Sequence, residues 1–262
     1  MILDAHIHLF DPTRSQGVPW PGKTALPATS AKLREVAEPH GVVGAIHVEA
    51  SPWLEDNDWV LKTIEDDAFM VGMVGNLDPL DAQFGKRLER YARHKKFLGI
   101  RYGNLWGKDL TKDVEKPRFL DAMLEVARAG LTLDSANPTN ELLAGLLRLS
   151  DAVPDLRIVI DHLPSLAAPD LNVLRSLAKR PVFVKVSMFP KGTETLAAER
   201  MTLALEVFGP ERVLFGSDWP NSAGNWRTYE AAVKLVQPFF MAKAPGYFAA
   251  NARAAYRLGS RV

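Results

Sequence analysis

An α/β chain folded as a (β/α)8 or TIM barrel is what this sequence predicts, and three observations carry the prediction. Eight short apolar runs recur along the 262 residues. Each is followed by an amphipathic stretch of helical period, at spacings of roughly 25–35 residues, the beat of repeated βα units. No glycine-rich phosphate turn follows the first run, which argues against an open doubly wound sheet with the same local signals. The length suits one barrel domain over 1–262.

In chain order, strands are predicted at Ile2–Leu9, Val42–Ala50, Met70–Leu77, Phe97–Tyr102, Leu131–Ser135, Arg157–His162, Val182–Met188 and Arg212–Asp218. Most are continuous apolar runs, as parallel strands buried on both faces require. Helices are predicted near 30–39, 55–67, 80–95, 117–129, 139–152, 170–179, 194–208 and 226–237. Ala244–Leu258 reads as an extra C-terminal helix, with Pro245 accommodated in its first turn. The longest connection, Phe10–Thr29, follows the first strand and carries Pro12, Pro19, Pro21 and Pro27. Long ordered loops in compact domains are often functional.

Composition narrows the function. Hydrophobic residues make up 47% and charged residues 24%, which fits a globular core with a charged shell. The 32 basic and 31 acidic residues leave a net charge of +1, which gives no electrostatic case for nucleic acid or an anionic membrane surface. With no cysteine, disulfides are excluded, and any zinc must be held by nitrogen and oxygen. No run approaches the ~20 apolar residues that span a bilayer. Asp4 and His6 interrupt the first apolar stretch, so a signal-peptide pattern is lacking and a cytoplasmic protein is expected. The expected partner is a small molecule. A homo-oligomer is compatible with the composition, which shows no exposed apolar stripe.

The residues that could carry chemistry fall at the C-terminal ends of the predicted strands, where barrel active sites form. His6 and His8 share one face of the first strand by period-two alternation, and paired imidazoles on a rigid element serve as metal ligands or as an acid/base pair. His47 and Glu49 end the second strand, Asn76 the third and Arg101 the fourth. Asp134 lies late in the fifth, His162 ends the sixth, Lys185 and Ser187 lie in the seventh, and Asp218 closes the eighth. Charged residues in buried strands are costly unless paired or metal-bound, so packing alone explains this concentration poorly.

Closure of the eighth strand beside the first would bring Asp218 to His6 and His8. A carboxylate there binds metal or takes a proton from bound water; its plainer reading is a turn former before Trp219-Pro220. Asp4 shares the histidines' parity at greater depth and is expected to orient an imidazole. His162 is expected to be a ligand or carbonyl polariser, and Asp161, of opposite parity, to face the helices. Arg101 and Lys185 either balance the carboxylates or clamp an anionic or carbonyl-bearing substrate. His47 reads as core. Trp20, Trp53, Trp106, Trp219 and Trp226 fall in loops after strands, where aromatics either stack on ligand rings or cover the rim.

Asp4-Ala5-His6-Ile7-His8, the strand ending Ile160-Asp161-His162, Val184-Lys185-Val186-Ser187 and the stretch from Phe208 through Phe215-Gly216-Ser217-Asp218-Trp219-Pro220 resemble the amidohydrolase superfamily. The resemblance is greatest to the amidohydrolase-related branch, which includes sugar lactonases and pyrone-dicarboxylate lactonases. The ending from Asn251 to Leu258 resembles it too, so the similarity spans the chain. It implies a distorted (β/α)8 barrel that hydrolyses an ester, lactone or amide. Position by position, His6 and His8 match the strand-one pair, His162 the later strand histidine and Asp218 the strand-eight aspartate. Two departures stand out. Arg101 stands near the place of a bridging lysine or glutamate, and arginine does not ligate metals. The fifth strand has Asp134 and Ser135 but no histidine. The resemblance therefore implies one zinc or manganese, held by His6, His8, His162 and Asp218, or the metal-free chemistry of some lactonases in the branch.

The expected reaction is hydrolysis of a sugar lactone or dicarboxylate lactone, with Asp218 as general base. His162 and Arg101 would stabilise the oxyanion, and Glu49, Lys185, Trp20 and Trp219 would meet the substrate. The alternatives are metal-dependent decarboxylation of an aromatic or muconate-type acid, and a non-catalytic binding protein on a decayed barrel.

Overall fold

The computed structural model describes residues 1–21, 25–166, 168–189, 194–221 and 228–259. Eight strands form one parallel sheet in sequential order: β1 Ile2–Ile7, β2 Val42–Val48, β3 Met70–Gly75, β4 Phe97–Arg101, β5 Thr132–Ser135, β6 Arg157–Ile160, β7 Val182–Lys185 and β8 Val213–Leu214. The segment after β8 returns to β1 through three backbone hydrogen bonds: Ala5 N to Phe215 O at 3.0 Å, Asp218 N to His6 O at 2.8 Å and His8 N to Trp219 O at 2.8 Å. These bonds close the ring and make the (β/α)8 barrel. The approach is tight. A Cβ on Gly216 would lie 2.7 Å from His6 Cβ, so only glycine lets the last strand reach the first.

Every residue of β1 is buried, as a parallel strand covered on both faces must be. The predicted helices are present at Ser30–Ala37, Glu55–Ile64, Phe84–Ala92, Pro117–Arg128, Asn140–Ala152, Leu171–Leu177, Glu194–Phe208 and Tyr229–Lys243. Thr29, Thr139, Asp170 and Thr228 cap four of them by accepting amide hydrogen bonds from the first turn. The expected start of the last of these, at 226, lies outside the described residues, as does Trp226.

Three local expectations fail. Ala244–Leu258 is not one helix: a 3-10 turn at Pro245–Phe248 precedes a short helix at Ala250–Ala255, broken apart by Ala249 at φ −155°. Asn251 then ties this segment to the barrel, donating to Pro210 O and Val213 O. One helical turn at Leu110–Asp113 was not predicted, because four residues are too few to carry a period. Finally, β7 and β8 stop short of Met188 and Asp218. Both residues lie three or four positions beyond the ladder's end, at positive φ of 57° and 59°.

The 10–29 connection folds back through an antiparallel Phe10–Ala28 bridge. Arg14 pins it to the helix Glu55–Ile64, pairing with Asp56 at 2.5 Å and lying over Trp59. No described helix is long and apolar enough to cross a membrane.

Candidate active site

Two layers of polar side chains fill the C-terminal half of the barrel. The lower layer is ionic. Lys185 Nζ lies 2.7 Å from Asp134 Oδ2 and 2.9 Å from Asp161 Oδ1, with all three side chains at 0% exposure. Arg101 Nε donates to Asp161 Oδ2 at 2.9 Å, and the Tyr256 hydroxyl donates to Asp134 Oδ2 at 2.6 Å. Burial pushes the Asp161 carboxyl up, but Lys185, His6 and Arg101 together hold it well below the usual carboxylate range. Two cations thus balance two carboxylates, as buried charges require.

The upper layer is made of acceptors. Asp218 Oδ1 lies 3.1 Å from His8 Nε2 and 3.6 Å from both His6 Nε2 and His162 Nε2. The Nε2 atoms of His6 and His8 are 3.3 Å apart. Asn221 Nδ2 donates to Asp218 Oδ2 at 2.7 Å and fixes the carboxylate plane. Burial pushes Asp218 up, but His162, the contact with His8 and His6 hold it far below its ordinary range. Burial lowers His162 to about 4. Burial, then the Lys185 charge, pushes His6 well down. A carboxylate thus faces imidazoles of which His6 and His162 stay neutral at neutral pH.

The Nδ1 atoms decide which nitrogen carries each proton. His8 Nδ1 donates to Val48 O at 2.9 Å, which leaves Nε2 as the nitrogen that faces Asp218, open to a metal or a second proton. His162 Nδ1 lies 2.8 Å from Ser187 Oγ, an available acceptor. Asp161 Oδ1 accepts no aligned hydrogen bond; Lys185 meets it by charge alone, and it lies 3.4 Å from His6 Nδ1. A proton on His6 Nδ1 would satisfy that orphaned oxygen and free Nε2, although Lys185 Nζ, 3.2 Å away, competes for the same nitrogen. Each ring therefore has an acceptor behind it and can present a bare Nε2, the arrangement of metal-ligating histidines.

The spacing fits too. Four donors held tetrahedrally at ~2.0 Å from a zinc ion lie about 3.3 Å from one another. The His6, His162 and Asp218 ligand atoms all fall within 4.8 Å of one another. The described residues thus contain a donor set able to hold one divalent metal.

Above this layer opens a pocket of about 190 Å3, lined by His8, Trp20, Glu49, Arg101, Trp106 and Asn137, among others, with His162, Met188 and Asp218 at its base. Backbone geometry concentrates here. Among the described residues six non-glycines have positive φ, and five of them, Trp106, Asn137, His162, Met188 and Asp218, line this pocket. Such conformations cost about 1–3 kcal/mol each and cluster where side chains must be re-aimed.

The sequence-predicted residues separate accordingly. His6, His8, His162 and Asp218 come together, and Arg101, Glu49 and Trp20 line the pocket above them. Lys185 is sealed beneath, in the charge-balancing arrangement, and Trp219 packs into the core; neither lines the pocket. Asp161 does not face the helices. His162, at φ 52°, breaks the alternation, so both residues turn inward. Asp4 touches no imidazole either. It accepts from the amides of His6 and Ser217 and from the Tyr229 hydroxyl, which stitches β1 to β8. His47 is buried and accepts from the Leu9 amide at 3.0 Å. Asn221 was missed; its only signal was its place three residues after Asp218.

A parallel eight-stranded barrel with imidazoles and a carboxylate converging at its C-terminal mouth defines an α/β-barrel enzyme of the metal-competent kind. The sequence model of the amidohydrolase family matches residues 3–258, and the chain belongs to that family. It is similar to the L-fucono-1,5-lactonase of Burkholderia ambifaria, 29% identical over 253 residues that cover 87% of this chain and 84% of that protein. A zinc-bound amidohydrolase from Burkholderia multivorans superposes with a TM-score of 0.86 at 21% identity, covering 98% of this chain and 99% of that one. A probable 2-pyrone-4,6-dicarboxylic acid hydrolase from Acinetobacter baumannii, with citric acid bound, gives 0.79 at 20% identity over 98% and 99%. At those identities the two structures speak for the fold alone.

Proposed function

We propose that this enzyme is a lactonase that opens a small lactone by water attack, with Asp218 as general base. One divalent metal, for which zinc suits the nitrogen-rich donor set, would be held by His6, His8, His162 and Asp218. The observation that carries the reading is the contact between His8 Nε2 and Asp218 Oδ1 at 3.1 Å: the Nδ1 proton is committed to the Val48 carbonyl, so in the neutral ring two acceptors face each other. Such a pair needs a cation or a proton between its members. A bound metal supplies Lewis acidity and lowers the pKa of water it holds.

The chain's own residues supply the rest. Asn221 holds one Asp218 oxygen and so aims the other at the pocket base. The water proton passes to Asp218 as the oxygen–carbonyl bond forms. The ring C–O bond then breaks, and the released alkoxide takes a proton back, giving a hydroxy acid. Arg101 lines the pocket and is the cation available to the carbonyl oxygen as charge develops on it. Similarity to the Burkholderia ambifaria lactonase supports the same reaction.

The test is acid release from a lactone panel, followed with a pH indicator, together with metal analysis of protein purified without chelator. Acid release, one equivalent of metal and a loss of at least ~10³-fold in kcat for Asp218→Asn are expected. Unchanged turnover in that variant would sink the assignment. Carbon dioxide release from aromatic acids, without lactone opening, would replace it with decarboxylation.

A further inference from the structure

We infer that Glu49 is a specificity-determining residue that accepts hydrogen bonds from substrate hydroxyls, and that it restricts the pocket to neutral, hydroxylated ring lactones. The inference rests on the lactonase reading and names its substrate class.

Glu49 follows β2, is 4% exposed and lines the pocket with Asp218. Burial pushes its carboxyl up, against the Arg101 and Lys108 charges that favour the ionised form, which offers about four acceptor sites. Among the described residues, the side-chain hydrogen-bond donor to it is a single N–H: Trp106 Nε1, shared between Oε1 at 3.2 Å and Oε2 at 3.1 Å. Arg101 hydrogen-bonds only the Glu49 backbone carbonyl, at 3.4 Å, and like Lys108 acts on the carboxylate by charge without a hydrogen bond to it. Most of the carboxylate's accepting capacity is therefore unspent in a nearly buried setting, where an unused acceptor is costly. Trp106, at φ 58°, holds the carboxylate by its midline and leaves the outer edges of both oxygens free. Ligand hydroxyl groups are the donors that fit.

Charge excludes the rival substrate class. Arg101 is the permanent cation of the pocket lining, and its Nε is already bonded to Asp161. Glu49 and Asp218 face the same space. With a divalent cation at Asp218 to receive one carboxylate, the second carboxylate of a diacid would still lie in the space Glu49 faces, and Arg101, the cation of the lining, is already engaged by Asp161. Trp20 and Trp106 offer aromatic surface to the C–H faces of a saturated ring.

The experiment compares wild type, Glu49→Gln, Glu49→Asp and Trp106→Phe on three probes: a panel of stereoisomeric hexono-1,5-lactones, unsubstituted δ-valerolactone and 2-pyrone-4,6-dicarboxylate. In wild type the best hexonolactone should exceed δ-valerolactone in kcat/KM by at least ~100-fold, since sites built for substrate hydroxyls reject analogues that lack them. Glu49→Gln should cut that ratio at least tenfold. Glu49→Asp and Trp106→Phe, which keep a carboxylate but displace or release it, should cut it less. An unchanged ratio in Glu49→Gln, or the dicarboxylate as best substrate, overturns the inference. If wild type opens no lactone, the lactonase reading fails separately. Glu49 is then judged by calorimetry with hydroxylated 1,5-lactams: at least tenfold weaker binding to Glu49→Gln supports the inference, and equal or no binding overturns it. Should Glu49→Gln not fold, Trp106→Phe and Glu49→Asp carry the same comparison.

Discussion

The two polar layers of the barrel differ in how they are completed. Beneath, Lys185 and Arg101 answer Asp134 and Asp161, and Tyr256 adds a hydroxyl, so the charges are closed within the chain. Above, Asp218 Oδ1 meets three imidazole nitrogens within 3.6 Å, and among the described residues no cationic side chain of lysine or arginine pairs with it. The difference separates stability from function. The lower layer has its counter-ions built in and holds the strands in place. The upper layer is left short of positive charge, and that shortage is its chemistry.

The sharpest way to break the comparison is to open the lower layer. Lys185→Met leaves Asp134 and Asp161 without their shared ammonium, and breaking a buried pair costs roughly 3–5 kcal/mol. Urea unfolding at constant m-value should show a loss of that size; a loss under ~1 kcal/mol would mean that the layer is not self-balanced.

Acid acts on the upper layer. His162 in the folded chain takes a proton only near 4, whereas an unfolded histidine takes one near 6.5. Between those values the unfolded chain binds the extra proton, so stability falls as pH drops through the window. The fall is on the order of 3 kcal/mol from this residue, and His6 acts in the same direction. Chelator-treated protein melted between pH 7 and pH 4 should show it, and a flat profile would contradict neutral imidazoles.

Ser187→Ala removes the hydroxyl behind His162 Nδ1. Metal affinity, read by competition with a zinc dye, should fall about tenfold, because partners behind ligating histidines are worth 10–100-fold. The smallest effect sharpens the contrast. In chelator-treated protein His8→Ala should change stability by no more than ~1 kcal/mol, since it relieves a crowded acceptor contact as it loses packing. Metal stoichiometry in the same variant should collapse.

Much of this was readable beforehand. Continuous apolar strands and their spacing announced the barrel, and strand-end positions announced His6, His8, His162 and Asp218. The errors share one cause. Parity reasoning assumes regular extended backbone, and two to four residues beyond the ends of β6, β7 and β8 stand non-glycine residues with positive φ: His162, Met188 and Asp218. Nothing in those letters signals a left-handed conformation, so Asp161 was assigned to the wrong side and the last two strands were drawn too long. Asn221 and the Trp106–Glu49 bond were hidden for a different reason. They are contacts between separate loops, and neither loop has a period.

The seam between the first strand and the last also sets a clock. His8 and Asp218 are separated by 210 positions, and Gly216 is what permits their approach. Contacts of such long range carry a large loop-closure cost and slow folding. A chain still emerging from the ribosome holds its histidines early but has no carboxylate to set beside them. The pocket base is thus assembled only once the segment through Asp218 has joined the first strand, and a chain cut before Gly216 has no carboxylate to set beside His8.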